Sequence, residues 1–77
     1  MKVIVYTAPG CPWCHVAKDF LEEHNIEYIE KDVSNPDYAT ELIQKTGQTS
    51  IPVLDINGQI VRGFDKDKIR ELLNIIE

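Results

Sequence analysis

The sequence predicts an α/β fold, one layered domain spanning residues 1–77 in the order β-α-β-α-β-β-α. Three features argue for it. Short apolar runs rich in β-branched residues alternate with segments of helical spacing. The first two runs flank one helix-length segment, a β-α-β unit whose right-handed crossover makes its strands parallel. Asn57-Gly58 divides the last two runs, and Asn-Gly between β-prone segments is the strongest short-range hairpin signal. That hairpin adds two more strands at a sheet edge. The chain has 77 residues, 43% of them hydrophobic, enough for one small core. It carries no internal repeat, linker or low-complexity segment.

Each element has its own signal. Val3-Ile4-Val5-Tyr6 is continuously apolar, as in a strand buried on both faces. Thr7-Ala8-Pro9-Gly10 breaks it, and Pro12 suits the first turn of a helix. Val16, Ala17, Phe20 and Leu21 then give that helix one apolar face, ending near His24-Asn25. The stretch from Ile26 to Val33 reads as the second strand, with Ile26, Tyr28, Ile29 and Val33 as its apolar residues. Ser34-Asn35-Pro36-Asp37 is a helix start, with a cap residue, a proline in the first turn and an acid at the positive end. Tyr38, Ala39, Leu42 and Ile43 continue it, and Gly47 after Lys45 stops it. The runs Pro52 to Ile56 and Gln59 to Val61 form the hairpin. Asp65 caps a last helix carrying Ile69, Leu72, Leu73 and Ile76 at spacings i, i+3, i+4 and i+7.

Composition excludes several function classes. Eight Lys and Arg against 13 Asp and Glu leave a net charge of -5, which does not suit a nucleic-acid backbone. No run approaches the roughly 18 apolar residues of a membrane span. The apolar run after Lys2 is too short for a signal-peptide core, so a soluble, cytoplasmic protein is expected. Cys11 and Cys14 are the only cysteines. A secreted mini-protein would carry four, six or eight, and so tight a loop removes little unfolded-state entropy. The pair therefore points to chemistry rather than to stability.

Cys11-Pro12-Trp13-Cys14 falls where a buried strand meets a helix. Cys11 lies at the helix start, where unpaired N–H groups and the positive dipole end stabilise a thiolate. Cysteines in such places have pKa values of about 3.5–7.5 rather than about 8.5. Cys11 is thus expected to be the nucleophile of disulfide exchange. Cys14, about one turn on and on the same side, can attack the Cys11–substrate mixed disulfide and release the reduced substrate. Pro12 stiffens the turn between the sulfurs. Cys14-His15 also completes the pattern of covalent haem attachment. That chemistry wants an exported chain and a second axial ligand, whereas the only methionine is Met1 and His24 lies about two and a half turns along the same helix. A zinc site would need four ligands, and Cys11, Cys14 and His15 on one turn do not make a set, so no metal is expected. Pro52 after Thr49-Ser50-Ile51 has two readings. It starts a strand, or a cis Ile51-Pro52 bond aims the Ile51 backbone groups outward beside the thiolate, where they could pair with an extended substrate.

Val5-Tyr6-Thr7 before Cys-Pro-Trp-Cys, the stretch Gly47-Gln48-Thr49-Ser50-Ile51-Pro52 and the stretch from Ile56 to Asp65 (Ile-Asn-Gly-Gln-Ile-Val-Arg-Gly-Phe-Asp) together resemble the glutaredoxin family of the thioredoxin superfamily. The resemblance covers essentially the whole chain. It implies a thioredoxin fold, a four-stranded mixed sheet flanked by three helices. It implies Cys11 as nucleophile, Cys14 as resolving thiol and Pro52 as a cis-proline facing them. The activity it implies is thiol–disulfide exchange on protein disulfides or glutathione mixed disulfides, with no tightly bound cofactor and with glutathione as a co-substrate; for the oligomeric state a monomer is the default expectation. Pro12, Trp13, Ser50, Ile51, Pro52, Gly63, Phe64 and Asp65 are the implied substrate-binding residues.

The family divides by reductant. Typical glutaredoxins are reduced by glutathione; glutaredoxin-like redoxins, including donors to ribonucleotide reductase, are often reduced by thioredoxin reductase. Typical members often carry a cation shortly before the first cysteine, whereas Thr7-Ala8-Pro9-Gly10 has none. Asp65 matches the first acid of the family's acid pair, which with the Gly63-Phe64 backbone would hold the γ-glutamyl end of glutathione. Lys66 replaces the second acid, and a cation there repels an α-ammonium group. Ser50-Ile51-Pro52 matches the Thr-Val-Pro whose backbone holds the cysteinyl part. Gly63-Phe64 is similar to a Gly-Phe in the ribonucleotide-reductase redoxins.

The remaining residues carry plainer expectations. Trp13 is either an exposed contact for partner proteins or ordinary helix-start packing, and Phe64 either lines the groove or closes the core. Tyr6 and Tyr28 are expected in the core or half-buried. Lys18, His15, Asp19, Glu22 and Glu23 are expected on solvated surface. Two other function classes fit these residues less well. An iron–sulfur cluster carrier bridging two chains through Cys11 and glutathione is opposed by Pro12 and Cys14. A non-catalytic binding module would show an unreactive Cys11.

Overall fold

The computed structural model describes residues 2–74. Its elements are β1 (Val3–Thr7), α1 (Pro12–Glu23), β2 (Ile29–Asp32), α2 (Pro36–Thr46), β3 (Val53–Ile56), β4 (Gln59–Arg62) and α3 (Lys66–Leu73). The four strands form one mixed sheet in the order β2-β1-β3-β4. β2 runs parallel to β1 with Ile4 opposite Ile29, and β3 runs antiparallel to β1 with Val5 opposite Leu54. The expected thioredoxin architecture is therefore the observed one, and the structure adds that the hairpin joins β1 through its first strand.

The pleat sorts the apolar side chains onto two faces. Val3, Val5, Leu54, Ile56 and Val61 meet Ala17, Phe20 and Leu21 of α1 and Ile69 and Leu73 of α3. Ile4, Tyr6 and Val53 meet Leu42 of α2 on the other face. The central strands β1 and β3 are buried along their whole length, as the unbroken apolar run of β1 implies; the edge strands are half open to water. Leu42 is the sole buried residue of α2, and its neighbour Ile43 is exposed. Charge supplies the rest of the attachment: Lys45 Nζ lies 2.7 Å from Asp55 on β3, and Lys31 Nζ lies 2.8 Å from Glu41. The Tyr6 hydroxyl also donates to Glu41.

Local chemistry sets the element ends. Asn35 caps α2 by accepting from the Asp37 N–H at 2.9 Å, and Asp65 caps α3 by accepting from the Lys68 N–H at 3.2 Å. The α2 cap is thus Asn35, with Ser34 donating its backbone N–H to Asp32 instead. Gly47 ends α2 at φ 75°, a left-handed position that costs a residue without a Cβ little.

Two expectations shift. β2 begins at Ile29 rather than Ile26, because Ile26 finishes α1. Asn25 adopts φ 57° and the N–H groups of Asn25 and Ile26 bond to the Glu22 and Leu21 carbonyls at 3.1 and 2.9 Å, a Schellman ending whose apolar residue turns into the core. Val16, expected on the buried face of α1, is 41% exposed. Ile76, expected on α3, lies outside the described residues.

Candidate functional site

The β1–α1 junction places the cysteines. Pro9 and Gly10 turn the chain off the sheet, and Cys11 becomes the N-cap residue of α1 with extended backbone angles. Its Sγ accepts a hydrogen bond from the Cys14 N–H at 3.2 Å, the bond a Ser or Asp oxygen makes at an ordinary cap. Cys11 and Cys14 are joined by a disulfide. Cys11 is half-buried whereas Cys14 is 2% exposed, so an approaching molecule meets the Cys11 sulfur first. Once the disulfide is reduced, the same N–H and the free N–H groups of the first turn face the Cys11 sulfur and favour its anion.

Two depressions flank this turn. One, about 410 Å³, is lined by Cys11, Pro12 and Cys14, together with Thr7, His15, Lys18, Glu30 and Asp32 and the segment Ala8–Gly10. The other, about 240 Å³, is lined by Trp13, Ile51, Pro52, Gly63 and Phe64. The structure thus gathers five of the residues singled out in the sequence into one groove and leaves Ser50 and Asp65 out of it; the Asp65 carboxylate serves the head of α3.

The groove has a defined frame. The Ile51-Pro52 bond is cis, the second of the two readings open in the sequence. The Gly63 N–H donates to the Pro52 carbonyl at 2.8 Å, tying the loop after β4 to the proline. Trp13 is 62% exposed and stacks on Phe64 with ring centroids 6.3 Å apart. Phe64 in turn meets Phe20 edge-on at 5.7 Å. Both readings of Phe64 therefore hold at once: it lines the groove and closes the core beneath.

Lys18 departs from its expected solvated place. Its Nζ lies 2.9 Å from Glu30 Oε2, which also accepts from the Thr7 hydroxyl at 2.8 Å. These bonds from Lys18, then Thr7, hold the Glu30 carboxyl below its usual range. The Ser34 backbone N–H does the same for Asp32. The depression beside the cysteines thus carries two carboxylates and one ammonium. Lys18 stands four residues after Cys14, on its face of the helix; that spacing was the one sign in the sequence. Glu30 arrives only through the parallel register of β2. Lys66 also departs from expectation: its Nζ sits 5.9 Å from the centre of the Phe20 ring, toward α1 rather than in the groove.

Among the described residues no group of three or more His, Cys, Asp and Glu side chains is arranged to hold a metal ion. No helix among them is long and apolar enough to cross a membrane.

Residues 3–61 match the family model for glutaredoxin. An uncharacterised glutaredoxin-like 8.6 kDa protein from the rubredoxin operon of Clostridium pasteurianum is 33% identical over 70 residues, covering 90% of this chain and 93% of that one. Glutaredoxin 3 of Escherichia coli K12 is 33% identical over 65 residues, covering 83% and 78%. Among solved structures, the thioredoxin-like protein BC3987 superposes with a TM-score of 0.87 at 36% identity, over 92% of this chain and 99% of that one. The glutaredoxin of Methanosarcina mazei Go1 superposes with a TM-score of 0.83 at 26% identity, over 96% and 79%.

Proposed function

Because this chain belongs to the glutaredoxin family, and so is a thiol–disulfide oxidoreductase with a dithiol pair, we propose that it reduces protein disulfides through Cys11 and Cys14 and is itself reduced by a protein such as thioredoxin reductase. The observation that carries the reading is the unequal pair: a reachable cap sulfur at Cys11 and a covered one at Cys14. In the reduced protein the Cys11 thiolate attacks one sulfur of the substrate disulfide. A Cys11–substrate disulfide forms and the other substrate sulfur leaves as a thiolate, which takes a proton. Cys14 then loses its proton and attacks the Cys11 sulfur. The Cys11–Cys14 bond forms, the second substrate thiol is released, and two electrons have passed to the substrate. The cis Ile51-Pro52 bond turns the Ile51 backbone groups toward the substrate segment, and Trp13, Gly63 and Phe64 wall it. Pro12 holds the turn, and Ser50 and Asp65 border the site. The protein works as a monomer in the cytoplasm, where disulfides are kept reduced, and ribonucleotide reductase is a fitting substrate.

The groove supports a protein reductant because the residues lining it include no cation for the carboxylates of glutathione. One observation favours glutathione as a second reading: Lys66 leans over Phe20 and does not line the groove, so its ammonium is not placed there to repel the α-ammonium group of glutathione. The deciding experiment supplies the oxidised protein with NADPH and either thioredoxin reductase or glutathione plus glutathione reductase. NADPH loss with thioredoxin reductase alone supports the first reading; turnover with glutathione replaces it with the second.

A further inference from the structure

A third depression adjoins the groove on its α1 side. It measures about 300 Å³ and is lined by Val16, Asp19, Phe20, Glu23, Phe64 and Lys66. Phe64 is common to it and to the groove, so the two are one surface with an aromatic ridge between them. The floor is apolar and aromatic, which is where the unexpected exposure of Val16 is spent. Asp19 and Glu23 stand four residues apart on one face of α1, both exposed. Neither is in an ion pair among the described residues. Among the described residues lining it, the single cation is Lys66, already lying 5.9 Å over the Phe20 ring.

We propose that this depression is a specificity subsite for a basic side chain, arginine above all, in the protein segment that carries the disulfide being reduced. This rests on the oxidoreductase reading above. The chemistry is complementary at three points. A guanidinium plane stacks on an aromatic face, and Lys66 marks that face as one a cation accepts. The methylene stem covers Val16 and Phe64. The charged end meets Asp19 and Glu23, two carboxylates against one movable ammonium, on a chain whose net charge of -5 draws basic segments in. Ring-to-ring steps of 6.3 and 5.7 Å lead from Trp13, between the cysteines, to Phe20. An extended chain covers that path in about three or four residues, which sets how far the arginine stands from the substrate cysteine.

The test uses the reduced full chain and peptides whose single cysteine is disulfide-bonded to 5-thio-2-nitrobenzoate, so that the first exchange releases a coloured thiolate. One residue, arginine, glutamine or glutamate, is moved through the four positions on either side of the cysteine. At one of these positions the arginine peptide should react up to about fivefold faster than the glutamine peptide, the scale of an exposed ion pair, with the glutamate peptide slowest. The preference should fade in 1 M salt. In the Asp19→Asn, Glu23→Gln double variant the arginine-to-glutamine ratio should fall to about one, and Lys66→Glu should raise it. Equal rates for all peptides with the wild-type chain overturn the subsite while leaving the exchange chemistry standing, as does a preference that survives the double variant. Failure of every peptide to react overturns the oxidoreductase reading and the subsite with it.

Discussion

Trp13 and Phe64 stack with their ring planes inclined by 24°, joining the helix that carries both cysteines to the loop after β4. Trp13 leaves most of its surface to water, so the pair is half wall and half contact surface. Beyond simple area burial, such a ring pair contributes about 0.5–1.5 kcal/mol. Trp13→Ala should lower stability by about that much in urea titrations. It should also raise KM for a protein disulfide more than it lowers kcat, because the groove loses a wall while the sulfurs keep their places.

The unequal exposure of the cysteines separates their variants. Cys14→Ser should accumulate a covalent adduct with a disulfide substrate, visible as the added mass of the substrate thiol on the intact chain. Cys11→Ser should accumulate none and should lose turnover altogether. An adduct on Cys14 in the Cys11→Ser chain would reverse the proposed order of attack.

Asp55 is a carboxylate on a central strand, 9% exposed. Lys45 lies 2.7 Å from one of its oxygens, and the Gly58 N–H of the hairpin turn donates to the other at 2.8 Å. Lys45→Met strands that charge, and unfolding should become easier by about 1–3 kcal/mol. Adding Asp55→Asn to the Lys45→Met chain should recover part of the loss, since an amide oxygen still serves Gly58 and no buried charge remains. Urea midpoints of the three chains read this directly.

Glu41 has its carboxyl held below the ordinary value of 4.5, first by the hydrogen bond from Lys31 and then by the Tyr6 hydroxyl. A carboxyl whose folded pKa is depressed contributes stability that is fully present above its unfolded value. That contribution is lost as pH falls through the folded value. The urea midpoint should therefore hold near neutrality and fall below about pH 4.5. Glu41→Gln should start lower at pH 7 and fall less steeply. Equal slopes for the two chains would remove Glu41 from the acid response.

Much of the molecule was readable along the chain because the deciding interactions are local. Asp65 reaches only to Lys68, Asn35 to Asp37, and the Gly58 N–H to Asp55 of its own hairpin. Cys11 owes its cap position to a strand ending at Thr7 and to Pro12 opening a helix. Helical spacing found Ala17, Phe20, Leu21 and Leu42 for the core, and it also chose Val16 and Ile43, which the narrow sheet does not cover. A four-stranded sheet has room for one stripe of each helix, and periodicity alone does not say where that stripe ends.

Element order and a cysteine pair poised at a helix start follow from the chain alone because each turns on residues close together, and the family resemblance follows from three motifs spread along it. Tertiary structure alone decided what surrounds that pair. The parallel register of β2 on β1 brings Glu30 to Thr7 and Lys18, residues 23 and 12 positions away. Closure of the β4–α3 loop over α1 sets Phe64 between Trp13 and Phe20 and turns Lys66 away from the groove. The reason is physical: these contacts form only once loops have closed and the apolar faces have met, and nothing within a few residues of Lys18 or Lys66 favours one partner over another.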